Sequence, residues 1–494
     1  MSSLNMLAFD LGASNGRAVL GQFDGERLIL QELHRFENTL VETKGLLYWN
    51  YNRLVAELQE GFSAYRRLYE GTLSSFGIDS WAVDYGLLDR NGRLLGNPRA
   101  YRNGKDEEMK AAWELVPKKE LFSHTGIAAM NFNTAYQLVR RQMEKNENLS
   151  CAKTMLMIPD LLGHFFTGDI CTEFTNATTT NLLNAHTHKW DMDIIRRLGL
   201  PEGIFTSIDM AGSLRSPMKP ALREELDVGE AVRLVAVGTH DTASAVAAIP
   251  STGDFAFCSS GTWSLVGVET EKPIINDTVY EGNFSNEGTV QGGYRPLKNI
   301  MGLWLIQECR REWQREGRNF TWDEIAHMAE VSTPLKSIID PDYPDFFAPG
   351  NMQQKICRYC TDTKQPLPET EGEMARCVYE SLALKYRHAL QILQKIKGKP
   401  LNSFNMVGGG VQNKLLCQMV ADATGVYVIA GPIEGACVGN LLMQAVALGE
   451  IESLTKAREV VMRSFSLDYY EPNNTAAWQD GYGRLLKYME KKKY

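Results

Sequence analysis

The chain has 494 residues, more than a single hydrophobic core usually holds, so the sequence predicts two domains. Hydrophobic residues make up 44% and charged residues 23%, the composition of a folded globular protein rather than a disordered one. The formal net charge of −8 argues against a nucleic-acid-binding surface, and no apolar run is long enough to cross a bilayer.

The chain ends and the cysteines favour the cytoplasm. Residues 1–5 lack the basic and apolar segments of a signal peptide, and the basic run Lys491–Lys493 is expected to be a solvated tail. Nine cysteines are scattered without the spacing of a disulfide framework, which fits a reducing compartment. Cys357 and Cys360 have the spacing of a metal pair, but no second pair completes a zinc site, so we expect a structural role. The pairing state of Cys360 and Cys377 is left open.

The first elements predict a hairpin and the start of an α/β domain. Residues 6–10 and 18–23 have the apolar character of strands, and the small, turn-prone residues 11–17 separate them. A strand, a glycine-rich turn and a second strand differ from the strand–turn–helix of a P-loop or a dinucleotide-binding unit. A helix over residues 52–69 and a buried strand over 76–84 are predicted next.

A similar hairpin recurs in the second half of the chain. Residues 234–237 predict a strand that leads into a small-residue helix, 243–248, which Pro250 ends. Residues 255–267 then repeat the pattern of strand, small polar turn and strand, which suggests a duplicated fold. Strands over 404–407 and 426–430 and helices over 413–423 and 436–448 complete an alternating α/β pattern.

The segment from Asp10 to Arg17 is a candidate phosphate-binding turn. Gly12 and Gly16 let backbone N–H groups approach a ligand, and Ser14, Asn15 and Arg17 add donors. Asp10, at the strand end, is placed to hold Mg²⁺ through water, since Mg²⁺ keeps much of its hydration. A simple turn with an exposed arginine is the alternative.

Two turns in the second half are candidates for nucleotide contact. Residues 259–263 are rich in hydroxyl groups and glycine, and the run Gly408–Gly410 between a strand and a helix would let adenine or ribose lie against bare backbone. Taken alone, each is as well explained by a tight structural turn.

His240, Asp241 and Thr242 follow a predicted strand and begin a helix. A carboxylate at this junction could orient a sugar hydroxyl and accept its proton during phosphoryl transfer. Aspartate and threonine are also ordinary helix N-caps, so the motif by itself does not decide between the two interpretations.

Taken together, these segments resemble the FGGY family of carbohydrate kinases, which share the actin/Hsp70/hexokinase fold. The resemblance runs in order from about residue 7 to 449 and includes 77–89, 159–160, 175–180, 240–246 and 294–304. It implies an α/β protein of two actin/ribonuclease H-like domains, 1–245 and 246–494, with the active site in the cleft between them. The first domain would carry the sugar site and the catalytic aspartate, and the second would bind ATP.

The resemblance also implies the reaction and its residues. Within the family, the segments are most similar to members that phosphorylate the 1-hydroxyl of L-rhamnulose, giving L-rhamnulose 1-phosphate and ADP in L-rhamnose catabolism. Asp241 would be the proton acceptor, and Mg²⁺ would accompany the co-substrate ATP. The implied sugar-binding residues are Gly86, His240, Asp241, Thr242 and Asn299, and the implied ATP-binding residues are Ala13, Ser14, Asn15, Gly16, Arg17, Thr262, Gln307 and Gly409.

Two departures and several alternatives remain. Asn15 stands where serine is more usual, and Asn103 stands where an aspartate is expected, which puts substrate preference in doubt there. Another family member acting on L-fuculose, a pentulose or glycerol is the nearest alternative. A nucleotide-gated binding module of the actin/Hsp70 type and a DNA-binding regulator on a kinase fold are more distant ones. The expected partners are small molecules, without nucleic acid or membrane, for a monomer or small homo-oligomer.

Overall fold

The computed structural model describes residues 4–230 and 232–490, and the chain divides into two compact units. Unit 1 comprises the chain up to Pro250 together with Glu269–Pro296 and Gly435–Phe465. Unit 2 comprises Ser251–Val268, Leu297–Glu434 and the chain from Ser466 onward. The domain boundary between residues 245 and 246 stays a prediction. The Lys491–Lys493 run and residues 1–3 of the amino terminus lie outside the described residues.

Unit 1 contains the following elements, with strands and helices numbered along the whole chain. Its strands are β1 (Leu4–Leu11), β2 (Asn15–Phe23), β3 (Leu28–Glu37), β4 (Leu40–Thr43), β5 (Leu46–Trp49), β6 (Leu73–Ser80), β7 (Tyr85–Leu88), β8 (Thr154–Met157), β9 (Thr172–Glu173), β10 (Leu183–Asn184), β11 (Lys189–Trp190), β12 (Ile208–Asp209), β13 (Ser213–Pro217), β14 (Arg233–Ala236) and β17 (Ser285–Gly288). Its helices are α1 (Tyr51–Leu68), α2 (Asp106–Leu115), α3 (Lys118–Thr125), α4 (Thr134–Met143), α5 (Glu147–Cys151), α6 (Ile158–Thr167), α7 (Phe174–Thr179), α8 (Met192–Arg197), α9 (Pro220–Leu226), α10 (Asp241–Ala247), α11 (Asp277–Glu281), α17 (Gly435–Ala447) and α18 (Leu454–Ser464).

Unit 2 contains the remaining elements. Its strands are β15 (Ala256–Ser260), β16 (Trp263–Val268), β18 (Tyr294–Met301, whose first residues belong to unit 1), β19 (Ser403–Val407), β20 (Tyr427–Ala430) and β21 (Asp468–Tyr470). Its helices are α12 (Trp304–Arg315), α13 (Trp322–Glu330), α14 (Met352–Asp362), α15 (Glu371–Lys397), α16 (Lys414–Thr424) and α19 (Thr475–Glu490).

The two units have the same sheet topology. In unit 1 the strand order is β13-β14-β6-β1-β2-β3, with β1, β2 and β3 antiparallel and β6 and β14 parallel to β1. In the second sheet the order β21-β20-β19-β15-β16-β18 repeats this arrangement, with β15, β16 and β18 antiparallel and β19 and β20 parallel to β15, and β17 adds a seventh strand beside β18. An antiparallel strand lies at one edge of each sheet, β13 in the first and β21 in the second. The duplicated α/β fold predicted from the two hairpins is confirmed.

Strand β1 shows why the core of unit 1 forms around it. Side chains alternate between the faces of a strand, so Met6 and Ala8 enter one hydrophobic cluster while Leu7 and Phe9 enter the other. All four are fully buried, as expected for a central strand with helices on both sides. The strand therefore places Asp10, near its carboxyl end, at a fixed position beside β2 and β6.

The predicted elements quoted above are present, with one correction. The strand predicted over residues 76–84 ends at Ser80, and a separate strand, β7, begins at Tyr85. Val83 has a φ of 67°, in the left-handed region, which β-branched residues rarely adopt and which cannot continue a strand. Thr134 and Gln137 hydrogen-bond to the Val83 carbonyl and hold this bend.

Among residues 4–230 and 232–490, no helix has the length and apolar character needed to cross a bilayer. None of the nine cysteines, all of which lie within the described residues, forms a disulfide, and Cys360 and Cys377 are buried.

Candidate active site

The first candidate turn in unit 1 joins β1 to β2. Its backbone closes through a hydrogen bond from Gly12 N to Asn15 O at 2.8 Å. Asn38 stabilises the turn from β3's end, because its side chain donates to Gly12 O at 2.9 Å and its backbone N–H donates to Ser14 O at 3.0 Å. Ser14 and Asn15 are exposed at the tip. The turn is therefore a braced loop that presents polar groups to solvent.

Asp10 and Arg17 form an ion pair across the base of this turn. Arg17 donates to Asp10 Oδ2 from Nε at 3.0 Å and from Nη2 at 2.7 Å. Cys437 Sγ lies 3.5 Å from the same oxygen. The other oxygen, Oδ1, accepts no hydrogen bond from the residues that the structure describes. It remains available to a water molecule or a hydrated cation.

Asp79, on the neighbouring strand β6, is a second carboxylate of this region. It is fully buried, and Asn440 donates to its Oδ2 at 2.6 Å, while its Oδ1 has no hydrogen-bond partner within the described chain. Burial and the nearby negative charge of Asp10 raise the pKa of Asp79 well above its ordinary value. Asp79 is therefore expected to hold a proton where an exposed aspartate would be ionised.

Asp241 is the first residue of helix α10, directly after strand β14 and its connecting turn. Its side chain is 34% exposed. Thr242 donates to Oδ1 from its backbone N at 2.5 Å and from Oγ1 at 3.2 Å, and His240 Nε2 lies 3.3 Å from the same oxygen. Oδ2 accepts no hydrogen bond from the described residues. The carboxylate is thus held by one oxygen and offers the other.

The pKa of Asp241 is raised by its surroundings. Removal from water is the largest cause, His240 and the Thr242 hydrogen bonds act against it, and Asp10 adds to it. A base with a raised pKa holds an abstracted proton more firmly than an ordinary aspartate does. The environment therefore suits proton acceptance.

His240 contacts two residues that the sequence did not predict for the site. Its Nδ1 lies 3.2 Å from Glu287 Oε2, and Arg295 Nη2 lies 3.4 Å from that oxygen and 3.4 Å from Nδ1. Glu287 and Arg295 belong to β17 and β18, and neither spacing nor composition pointed to them. Arg295 lies within the segment 294–304 that resembles the family, but the sequence assigned it no role. Nothing in the sequence pointed to Glu287.

Gly86 lies in β7 and is buried. A Cβ there would lie 2.5 Å from Leu161 Cδ2 and 3.0 Å from Leu94 Cδ1, so close packing accounts for the glycine. The described contacts do not link it to His240 or Asp241, and its role in sugar binding stays a prediction.

Unit 2 has its own pair of closely packed turns. A Cβ on Gly410 would lie 2.0 Å from Ser260 Oγ, and Gly408 has a φ of 90° with Ser260 O 2.9 Å from the position of a Cβ. Nothing lies within 4 Å of the corresponding position on Gly409. Gly408 and Gly410 therefore allow the turns to pack, whereas Gly409 leaves open backbone that a ligand could approach.

The other residues predicted in unit 2 are placed by β16, β18 and α12. Thr262 Oγ1 donates to Gln307 Oε1 at 3.3 Å, and the Thr262 carbonyl accepts from Gly302 N at 3.1 Å. Asn299 lies on β18 opposite Leu265 of β16. The structure thus brings Thr262 and Gln307 together, and it places Asn299 on the strand that leads to α12.

Family comparisons agree with this duplicated architecture. The N-terminal domain model of the FGGY family of carbohydrate kinases matches residues 5–248, and the C-terminal domain model matches residues 256–448. The chain belongs to the FGGY family of carbohydrate kinases. It is an enzyme, an ATP-dependent sugar kinase.

Three relatives of similar length are rhamnulokinases. The chain is 38% identical over 480 residues to a rhamnulokinase of Bacteroides thetaiotaomicron, covering 97% of this chain and 98% of the relative. It is 41% identical over 467 residues to a rhamnulokinase of Halalkalibacterium halodurans, covering 94% and 98%. It is 37% identical over 470 residues to a rhamnulokinase of Bacillus subtilis, covering 94% and 95%.

Solved structures support the fold. Ligand-bound xylulose kinase from Lactobacillus acidophilus has a TM-score of 0.82 at 17% identity, covering 99% of this chain and 97% of that one. Plasmodium falciparum glycerol kinase with ADP has a TM-score of 0.78 at 14% identity, covering 100% and 99%. At these identities the likeness establishes the two-domain kinase fold and leaves the substrate open.

Proposed function

We propose that this chain transfers the γ-phosphoryl group of ATP to the 1-hydroxyl of L-rhamnulose, giving L-rhamnulose 1-phosphate and ADP in L-rhamnose catabolism. The choice of sugar follows from the curated relatives, which are rhamnulokinases at 37–41% identity over nearly their whole length. The single observation that supports the chemistry is the geometry of Asp241, which is held through Oδ1 and offers Oδ2.

In this proposal Asp241 is the general base. Oδ2 accepts the proton of the sugar O1 hydroxyl as the bond from O1 to the γ-phosphorus forms and the bond from that phosphorus to the bridging oxygen of ADP breaks. Phosphoryl transfer depends mainly on positioning and electrostatics, so no covalent intermediate with a protein side chain is required. His240 and Thr242 orient the carboxylate, and with Gly86 and Asn299 they are the proposed sugar contacts.

Each unit has its own proposed ATP contacts. In unit 1 they are residues 13–17 of the turn between β1 and β2, including the Arg17 guanidinium, which supplies positive charge for phosphate oxygens. In unit 2 they are Thr262, Gln307 and the open backbone at Gly409. The domain division at residues 245 and 246 and a cytoplasmic monomer or small homo-oligomer remain part of the proposal.

The residues present fit a hydrated Mg²⁺ ion. Among residues 4–230 and 232–490 no cluster of three side-chain ligands is assembled, which disfavours a fully protein-coordinated ion. Asp10 Oδ1 accepts no hydrogen bond from the described residues and could accept one from a coordinated water, the way Mg²⁺ commonly meets carboxylates. Asp10 would hold the ion, which would supply positive charge to the phosphates of ATP.

A substrate panel tests the proposal. ADP release is coupled to a spectrophotometric readout with Mg-ATP and L-rhamnulose, L-fuculose, D-xylulose, L-ribulose or glycerol. We expect the highest kcat/KM with L-rhamnulose. A higher kcat/KM with another sugar would change the proposed substrate but not the proposed chemistry. ADP release that no sugar stimulates would favour the nucleotide-gated binding module.

A further inference from the structure

His240 lies between two carboxylates. Its side chain is 7% exposed, and its two ring nitrogens face opposite partners, Asp241 Oδ1 at 3.3 Å from Nε2 and Glu287 Oε2 at 3.2 Å from Nδ1. An imidazole that contacts acceptors at both nitrogens is fixed in ring orientation, and the group at one nitrogen determines the proton at the other. Glu287 therefore influences Asp241 through the ring.

Glu287 is itself held by a buried arginine. Arg295 is fully buried, and its Nε donates to the Gly288 carbonyl at 2.9 Å, while Nη2 lies 3.4 Å from Glu287 Oε2. Its Nη1 has no hydrogen-bond partner among the residues that the structure describes. Burial of a guanidinium with an unpaired N–H costs free energy of folding. Filling space alone therefore does not explain why an arginine stands at position 295.

Two protonation states of the ring leave a proton on Nε2. When the ring is charged, Nδ1–H donates to Glu287 and Nε2–H donates to Asp241. When the ring is neutral, Nδ1 can accept from Arg295 Nη2, at 3.4 Å, and Nε2–H still donates to Asp241. The reverse tautomer would set a lone pair of Nε2 against the Asp241 carboxylate and the Nδ1–H against the Arg295 Nη2–H.

We propose that Glu287 and Arg295 are positioning residues that keep a proton on His240 Nε2, so that Asp241 Oδ1 stays occupied and Oδ2 faces the sugar hydroxyl. This inference rests on the proposed role of Asp241 as the base. Glu287 and Arg295 act through the imidazole and need not touch the substrate.

The surrounding charges determine the expected pH dependence. The charged groups that act on Arg295 are Glu287, Glu269, Asp241 and Glu173, and Asp10 acts on Asp241 from β1. Burial raises the pKa of Glu287, but the hydrogen bond from His240 and the charges of His240 and Arg295 outweigh it, so its pKa lies below the ordinary value. Glu287 is thus an anion beside His240.

The variant Glu287→Gln removes that anion while keeping the shape of the side chain. We expect kcat to fall about 10-fold or more, as when a histidine loses the carboxylate that orients it, with a smaller change in KM for the sugar. His240 lowers the pKa of Asp241, so a weaker contact between the ring and Asp241 should move the acid limb of the kcat profile to higher pH.

A double-mutant comparison shows whether the effect passes through the ring. In a His240→Gln background, Glu287→Gln should cause little further change in kcat or in the pH profile. Equal effects of Glu287→Gln in both backgrounds would overturn the inference.

Asp160→Asn is the matched control. It also removes a buried carboxylate from a pair with an arginine in unit 1, Arg215 at 2.9 Å, and it should leave the pH profile of kcat unchanged.

The ¹⁵N shifts of the imidazole separate this inference from the proposed function, because they show which ring nitrogen carries the proton. With ¹⁵N-labelled histidine, the His240 resonances are assigned by their loss in His240→Gln, and no sugar is needed. We expect the signal of a protonated Nε2 in the parent protein and a smaller share of it in Glu287→Gln. An unchanged share would overturn the inference even if Asp241→Asn is inactive, and full activity of Asp241→Asn would remove the base role whatever the shifts show. If Glu287→Gln does not fold, Arg295→Lys and Glu287→Asp provide the same comparison.

Discussion

Arg17 donates two hydrogen bonds to a single oxygen of Asp10, at 3.0 and 2.7 Å, across the base of the turn between β1 and β2. The pair is largely shielded from solvent, since the two side chains are 16% and 11% exposed. It joins a proposed phosphate contact to the proposed holder of Mg²⁺. The charge of the arginine and the position of the carboxylate are therefore coupled.

Arg17→Met should weaken the use of ATP. Loss of one charge-assisted contact to phosphate corresponds to about 1.5–3 kcal/mol, or about 10- to 100-fold in kcat/KM for ATP. Steady-state kinetics with varied ATP at saturating sugar measures it. The control is Arg35→Met, which makes the same charge change on the paired residue of β3, where the ion pair with Glu32 is exposed. Equal losses in both variants would mean that net charge, rather than contact with ATP, is responsible.

Asp241→Asn should fold and bind ATP but lose most turnover. Removal of a general base commonly costs about 10²- to 10⁴-fold in rate. The amide keeps the shape of the side chain and can still accept hydrogen bonds from Thr242. Rapid-mix ADP release and ATP-binding calorimetry provide the two readouts, and near-normal turnover would remove Asp241 from the role of base.

Asp79→Asn should stabilise unit 1 increasingly as the pH rises. The folded-state pKa of Asp79 is raised, so folding takes up a proton and the parent protein loses stability as the pH rises above the unfolded value of about 3.9. The asparagine cannot ionise and avoids this loss. Urea unfolding between pH 5 and pH 8 measures the difference, which should grow with pH. Asp24→Asn is the control, because backbone hydrogen bonds lower the pKa of Asp24, so that it is ionised in both the folded and the unfolded state over this range and its difference from the parent protein should be constant. A pH-independent difference for Asp79→Asn would contradict the assignment.

Gly439→Ala should destabilise unit 1 strongly. A Cβ at this position of α17 would lie 1.7 Å from the Ser244 carbonyl oxygen in α10, and a backbone atom cannot move aside without shifting the helix. Overpacking of this kind costs about 1–3 kcal/mol or more in the free energy of unfolding. Gly483→Ala, in helix α19 with open space around it, is the control and should be neutral or stabilising by about 0.5–1 kcal/mol. Similar urea midpoints for both variants would contradict the close helix contact.

Asn103→Asp should cost stability and leave sugar preference nearly unchanged. The Asn103 amide donates to the carbonyls of Leu47 and Ala100 at 2.7 and 2.8 Å, and its oxygen accepts from Leu47 N at 2.9 Å. An aspartate would place an oxygen against two carbonyls, at a cost of about 1–3 kcal/mol. Thermal unfolding and the sugar panel measure the two effects. A changed sugar preference without loss of stability would instead support the substrate role suggested by the departure at this position.

The amino-acid sequence alone determined the α/β class, the two hairpins and the residues around Asp10 and Asp241. These features are local, because strand periodicity, glycine-rich turns and a residue at a helix start are read within a few neighbouring positions. The sequence did not predict that the strand ends at Ser80, because no local pattern indicates the left-handed backbone of Val83.

The tertiary structure decided which distant residues meet. Glu287 is 47 positions from His240 along the chain, yet its carboxylate lies 3.2 Å from the imidazole, and Asn440 reaches Asp79 across an even longer separation. Such pairs arise from the order of strands in a sheet and from the helices packed on it, and no local pattern contains that order. Burial likewise belongs to the folded chain, which is why the raised pKa of Asp79 and the unused donor of Arg295 became visible only there.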